Sequence, residues 1–428
     1  MVQGRKRPEP HEIIMEAHSP AADSPFSRYQ VFVIGLLAFL QFTIILDFMI
    51  LSPLGAILMH DLSIPAAHFG LAVSVYAFSA GASGLASAGF ADRFDRKKLL
   101  LFFYTGFILG TFLCGIAPNY PFLIFARIVT GLFGGVIGSI VMTIVADLFP
   151  LAKRGRVMGV VQTAFAASQI LGIPLGLYLS NLWGWHAPFI MISAVGLVAG
   201  IGIVFYLRPI DAHLKLHPDP NPFRHLFQTV SKGHYIQAFA ATTLLVTGGF
   251  MLMPFSSAFS VQNLGIPFAK LPVVYMITGV FAIIAGPLAG RLSDKLGKYP
   301  LFLGGTFLTM IVVIIYTHLG ITPLWLVVVV NVILFIGIST RMIPSQALMS
   351  AVPVQRDRGA FMSVNAAIQQ FAGGIAAGVA GLVVTQNPDG KLGRYDILGY
   401  MVVGAMAITA FLMYFINRGI IRRGVKGV

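Results

Sequence analysis

Apolar stretches of about 20 residues or more recur from Tyr29 to Asn417, separated by short polar breaks. Each can cross a bilayer hydrocarbon core of about 30 Å as a helix, which satisfies its own backbone hydrogen bonds where no water is present. The pattern predicts spans at 29–59, 66–91, 99–117, 121–149, 157–182, 186–207, 235–262, 270–292, 300–319, 322–352, 359–385 and 396–417. An even number of spans puts both termini on one side. Hydrophobic residues make up 57% of the chain and charged residues 10%, which excludes a water-soluble domain or a globular enzyme with one anchor. The expected fold is an all-α membrane protein. It comprises a tail over 1–28, a six-helix bundle over 29–207, a linker over 208–234, a second six-helix bundle over 235–417, and a tail over 418–428.

The net charge of +14 could point to nucleic acid, but its placement points to topology. With this span order, 24 of the 29 Lys and Arg residues fall on the side of the termini. Only Lys270, Lys391 and Arg394 fall opposite, and Arg127 and Arg341 lie inside spans. By the positive-inside rule both termini are cytoplasmic, in the cell inner (plasma) membrane, and no nucleic-acid partner is needed. Arg5-Lys6-Arg7 is not followed directly by an apolar core, so no cleavable signal peptide is expected. The single cysteine, Cys114, sits in an apolar stretch and reads as a packing residue. The linker is rich in Pro and His. Asn221-Pro222-Phe223 reads as a helix start, and Phe223, Leu226, Phe227 and Val230 would share one face of a short helix on the inner membrane surface, the plainer alternative being an ordinary loop.

The second half of the chain repeats the first in the same order. Residues 88–98 form an acidic-basic turn between two apolar stretches, and residues 290–298 form another. The offset from Asp92 to Asp294 also carries Gly172-Ile-Pro-Leu-Gly176 onto Gly374-Ile-Ala-Ala-Gly378. Two repeated membrane halves can rock against each other around a site at their interface, which is a transporter arrangement. Gly and Pro within spans, among them Pro53, Gly131, Pro174, Gly248, Gly249, Pro254 and Pro344, permit close packing or bending. No Walker A pattern, zinc spacing or Ser-His-Asp set appears, so no enzyme, metal or cofactor is expected.

At these residues the chain resembles the major facilitator superfamily, and within it the drug–proton antiporter branch. The motif G-x-L-A-D-R-x-G-R-K between the family's second and third helices is matched by Asp92, Arg93, Arg96 and Lys97. Ala88 and Asp95 stand where the motif has glycine. The second-half copy matches at Gly290, Asp294 and Gly297. Arg127-Ile-Val-Thr-Gly131 is similar to the fourth-helix R-x-x-x-G motif. Gly172-Ile-Pro-Leu-Gly176 with Gly184-Trp185 is similar to the fifth-helix antiporter motif. The resemblance covers about residues 29–417 and implies two six-helix bundles working by alternating access.

Of the fifteen acidic residues only Asp47 lies near the middle of an expected span. A carboxylate there must be paired, protonated or facing water. Burial disfavours a carboxylate's charged form and a nearby arginine favours it, so such a group suits proton coupling. A structural ion pair is the plainer alternative. The resemblance implies that Arg127 lies near Asp47; arginine can tune a proton site but cannot carry the proton. Arg341, mid-span, needs an anion, either Asp47 across a cavity or an acidic substrate group. The deep charges sum to +1, favouring an anionic or zwitterionic substrate. Gln41, Gln162, Gln169, Gln346, Asn365 and Gln369 are candidate substrate contacts, as are Asn331 and Gln370. Asp92, with Arg93 and Arg96, reads as a latch between the halves or as a turn that fixes topology. Asp294 in the repeat, with Gly172, Pro174 and Gly176, completes the candidate gating set.

The expected activity is proton-coupled export, by alternating access, of a small amphipathic compound, by a monomer in the lipid bilayer. Asp47 would carry the proton, Arg127 tune it and Arg341 contact substrate. The alternatives are a facilitator or symporter for an organic anion, with Asp47–Arg341 as a structural pair, or a lysolipid or lipid transporter of the same fold. A receptor without transport activity is more remote.

Overall fold

A computed structural model of the chain describes residues 26–87, 90, 93–211, 214, 232–354, 357–388 and 390–423. Among the described residues, twelve helices are long and apolar enough to cross a membrane. In chain order, spans 1 to 6 are Arg28–Ile50, Ala66–Ser87, Arg96–Gly115, Tyr120–Leu148, Arg156–Trp183 and Ala187–Tyr206. Spans 7 to 12 are Tyr235–Gln262, Phe268–Leu296, Lys298–Thr317, Leu324–Ala351, Ala360–Val383 and Tyr395–Arg422. A two-stranded antiparallel hairpin, Thr385–Gln386 with Leu392–Gly393, joins spans 11 and 12.

Local chemistry sets several helix ends. Ser27 and Gln30 form a reciprocal capping box at the start of span 1. Asn119 caps span 4, with a proline in its first turn. Asp95 caps span 3 by accepting from the Lys98 N–H at 2.9 Å. Its second oxygen accepts from the Ile210 N–H at 2.8 Å, and the Arg96 N–H donates to the Ile210 carbonyl. Asp95, where the resembled motif has glycine, thus ties the start of the linker to the first half. The linker's far end is tied to the second half. There Lys232 pairs with Asp357, which also accepts from the Tyr235 hydroxyl at 2.9 Å. The expected surface helix at 222–230 lies outside the described residues.

Three helices depart from the expected spans. The helix of span 1 stops at Ile50, not near 59; a turn containing Pro53 follows, then a short helix, Gly55–Asp61. Asp47 is therefore in the last turn of its helix and not at its middle. Span 5 contains a five-residue π-helical segment, Ser168–Gly172. Span 7 tightens into a 3-10 turn over Met253–Phe255, around Pro254.

The chain folds as two six-helix bundles, spans 1–6 and 7–12. In the first, span 4 packs on spans 2 and 3, span 1 on span 5, and span 3 on span 6. In the second, span 10 packs on spans 8 and 9, and span 7 on spans 11 and 12. The halves meet mainly where span 2 lies on span 11 and span 5 on span 8, and around the outer ends of spans 1 and 7. Among the described residues, three hydrogen bonds join the halves. Ser52 Oγ donates to the Met253 carbonyl, Ser257 Oγ to the Ser52 carbonyl at 2.9 Å, and Ser74 Oγ to the Gly374 carbonyl at 2.7 Å. Phe69–Phe255 and Phe48–Phe250 ring contacts lie alongside. All of these sit toward the membrane face away from the termini, which closes that end.

Small residues make the span 2–span 11 contact possible. A Cβ on Gly70 would stand 2.7 Å from the Ala377 carbonyl oxygen, which is backbone and cannot swing aside. Gly70→Ala therefore overpacks the seal, at about 1–3 kcal/mol. The expected result is a lower thermal-unfolding midpoint in detergent. Gly404→Ala, at a site with nothing within 4 Å of the added Cβ, does not lower it.

Candidate functional site

Asp47 is fully buried within the first bundle. Its two oxygens are held by different helices. Arg127 Nη1 of span 4 donates to Oδ2 at 3.0 Å, and Thr111 Oγ1 of span 3 donates to Oδ1 at 3.1 Å. The Arg127 guanidinium, 1% exposed, also lies over the Tyr76 ring of span 2, 4.3 Å from its centroid. Four helices thus converge on one carboxylate. Such a pair is stable only while its geometry holds, because each charge left alone in a dry interior is costly. The Arg127 Nε remains buried without a hydrogen-bond partner, so the arginine is only half satisfied.

The cluster touches the other half through its rings. Phe48, the residue after Asp47, packs on Tyr76 at 5.4 Å and on Phe250 of span 7 at 5.6 Å. Span 5 closes the far side of span 1. A Cβ on Gly172 would stand 2.6 Å from Leu46 Cδ1, and one on Gly176 would stand 2.7 Å from Ile50 Cδ1. The two glycines of the Gly-Ile-Pro-Leu-Gly motif thus let span 5 approach span 1 on both sides of Asp47. The π-helical segment that ends at Gly172 also meets span 8. Gly279 of span 8 leaves room for Ile170, whose Cγ1 would be 2.8 Å from a Cβ at that glycine. Buried Gln169 lies in the same segment and donates from Nε2 to Met49 Sδ at 3.5 Å. Pro174 is buried in the first turn after it.

Arg341 is 2% exposed inside the second bundle. It has no salt-bridge or hydrogen-bond partner among the described residues, and its Nε and Nη2 are buried and unsatisfied. The expected alternative of an Asp47–Arg341 pair is not what forms. Arg127 reaches Asp47 from span 4 of the same bundle, and Thr111 takes the other oxygen. None of the candidate Gln and Asn side chains bonds Arg341. Asn365 is buried and accepts from Thr242 Oγ1 at 2.7 Å, joining spans 7 and 11. Gln162 and Gln346 are exposed, Gln369 is half-buried, and the half-buried Gln41 has an unsatisfied Oε1.

Asp92 lies outside the described residues. Of its expected latch partners, Arg93 is exposed, whereas Arg96 is buried and its Nε pairs with Asp147 Oδ2 at the end of span 4, at 3.1 Å. Arg96 thus braces two helices of one half. Asp294 is 80% exposed and lies 3.9 Å from Lys298. Sequence reasoning missed Thr111, Tyr76 and Asp147. A hydroxyl, a ring and an acid on different apolar segments carry no mark of their convergence until the helices are packed.

The Asp47 cluster predicts a stability pattern. Arg127→Met leaves a buried carboxylate unpaired and costs about 3–5 kcal/mol. Adding Asp47→Asn removes that charge, so the double variant unfolds closer to wild type than Arg127→Met alone, as read by thermal unfolding in detergent.

A family profile described as Major Facilitator Superfamily matches residues 37–378. The chain is 25% identical over 389 residues to the uncharacterized MFS-type transporter YbcL of Bacillus subtilis (strain 168), covering 91% of this chain and 96% of that protein. It is 34% identical over 125 residues to Multidrug resistance protein 3 of the same organism, covering 29% of this chain and 24% of the relative. Its fold superposes, with a TM-score of 0.73 at 15% identity, on a bacterial homologue of the human lysosomal transporter Spinster in an inward-facing and occupied conformation. That match covers 92% of this chain and 98% of the other. The twelve spans, the two bundles and a family match across most of the chain agree: this is a multi-pass membrane protein of the major facilitator superfamily, built to transport and not an enzyme.

Proposed function

We propose that the protein is a proton-coupled exporter of the drug–proton antiporter kind, moving a small amphipathic compound by alternating access. The observation that carries this reading is the Asp47 cluster, a dry carboxylate with one countercharge, on the helix that touches the other half. While spans 1 and 4 hold together, Asp47 stays against Arg127 and Thr111, away from water. When the halves rock, span 5 moves with span 8 at the π-helical segment and repositions span 1 through Gly172 and Gly176. Asp47 then exchanges its proton with water on the open side. The partial similarity to a multidrug resistance protein supports export.

In this reading the chain lies in the inner membrane as a monomer, with both termini cytoplasmic. The N-terminal tail covers 1–28, the bundles 29–207 and 235–417, the linker 208–234 and the C-terminal tail 418–428. The closed end then faces outward and the structure is inward-facing. Asp92, Arg93, Arg96 and Asp294 act at the opposite end during opening and closing. Substrate meets Arg341 and a subset of Gln41, Gln162, Gln169, Gln346, Asn365 and Gln369.

The test is proton movement in proteoliposomes carrying a pH-sensitive dye, challenged with norfloxacin as a zwitterionic amphiphile and benzoate as an anionic one. A compound that is carried should move protons in the opposite direction in wild type and not in Asp47→Asn. An equal dye response from Asp47→Asn would sink the assignment of the proton to this residue.

A further inference from the structure

The second bundle holds a buried cation, Arg341, with no countercharge among the described residues. Its described acids are all engaged or distant in the chain from any mid-span position. Asp294 lies at the end of span 8 beside Lys298, Asp357 holds Lys232 and Tyr235, and Asp396 sits in the first turn of span 12. Among the described residues Asp47 is the one fully buried acid of the first bundle, and it is committed to Arg127 and Thr111. A guanidinium buried in this way, without a partner, lowers the stability of the fold.

The identity of the unsatisfied atoms narrows the ligand. Nε–H and one Nη2–H are the two donors that run parallel along one edge of a guanidinium, and their spacing matches the two oxygens of a carboxylate. In Arg341 both atoms are buried and unpartnered. A spherical ion cannot use both donors as well, and a doubly charged group would overcompensate one positive charge. On the side of span 7 the neighbours are apolar. Val402 and Met406 of span 12 and Arg341 Nη1 all lie within 3.7 Å of where a Gly248 Cβ would stand. The next residue of span 7, Gly249, is exposed, with nothing within 4 Å of its missing Cβ. The wall of span 7 is therefore thin beside the guanidinium. Span 10 itself is loosened here, because Pro344 cannot donate to the carbonyl four residues earlier, at Thr340.

We propose that Arg341 is the anchor for the carboxylate of a small monoanionic amphiphile. Nε–H and Nη2–H grip its two oxygens, and its apolar body lies against spans 7 and 12. This rests on the transport reading above and names its substrate class. It also separates the work of the two halves, with the proton in the first bundle and the anion in the second.

The experiment compares thermal midpoints of the detergent-purified full chain for wild type, Arg341→Met and Arg341→Lys. Each is measured alone and with benzoate, 2-naphthoate, benzamide, benzylamine or chloride. Without ligand, Arg341→Met should unfold above wild type, because it removes an unpaired buried charge; unfolding below wild type would make Arg341 a structural residue and overturn the proposal. At least one of the two carboxylates should raise the wild-type midpoint by several degrees and leave Arg341→Met unmoved. Arg341→Lys, a point charge without the parallel donors, should need at least tenfold more carboxylate for the same shift. The proposal falls if neither carboxylate stabilises wild type. It falls equally if benzamide or benzylamine does as well as the carboxylates, or if their shift survives in Arg341→Met. A chloride shift as large as the carboxylate shift would assign the site to an inorganic ion and overturn the substrate class. Carboxylate binding lost in Arg341→Met, but with no carboxylate-driven proton movement in proteoliposomes, would leave the anchor standing and sink the transport reading instead.

Discussion

Hydrocarbon offers a polar group no water, so every donor and acceptor within the membrane must find its partner in the protein. Most of this architecture obeys that constraint locally. Thr130, Thr278 and Thr309 return their hydroxyls to carbonyls one turn back, at Ala126, Val274 and Gly305. Asn365 and Thr242 satisfy each other between two helices. The charged groups cannot be satisfied one helix at a time, and they reveal how the bundles are put together. Asp47 requires helices 1, 3 and 4 at once, and Arg127 brings in helix 2 through Tyr76.

The two bundles treat charge in opposite ways. The first buries a matched pair, each partner on its own helix, so the pair reports on whether those helices are together. The second buries Arg341, which no side chain among the described residues neutralises. Between them runs a short line of rings, Tyr76 to Phe48 to Phe250, across the seam between the halves. Gly248, beside Arg341, lies two residues before Phe250 on the same helix. Motion at the seam thus acts on both charged sites through packed side chains and through rigid helix. The seam is held by serine hydroxyls on backbone carbonyls, by glycine-to-backbone contact and by ring contacts such as Phe69–Phe255. Such a contact closes tightly and can also part.

The most informative departures from the linear pattern are places where the helix is irregular. Pro53 ends span 1 early and leaves Asp47 in a terminal turn. The π-helical segment in span 5 meets both span 1 and span 8, so one irregular turn touches the helix that carries Asp47 and the opposite half. Asp95, out of keeping with the motif around it, is explained by its two donors, Lys98 and Ile210.

The sequence alone determined the number of spans, the pairing of the two halves and the cluster of deep charges, because hydrophobic length and charge placement are properties of the chain that a bilayer reads directly. The resemblance in Arg127-Ile-Val-Thr-Gly131 placed Arg127 near the acid of the first helix, and the structure has that contact. Tertiary packing decided the rest. Thr111 and Tyr76 joined Asp47 and Arg127, Arg96 chose Asp147, and Gln162 and Gln346 stayed apart from Arg341. It decided, too, that Arg341 would have no countercharge among the described residues. These outcomes depend on helix rotation and depth. A helix with apolar residues on every side leaves both unspecified until small residues, such as Gly70 and Gly172, fix which faces can meet.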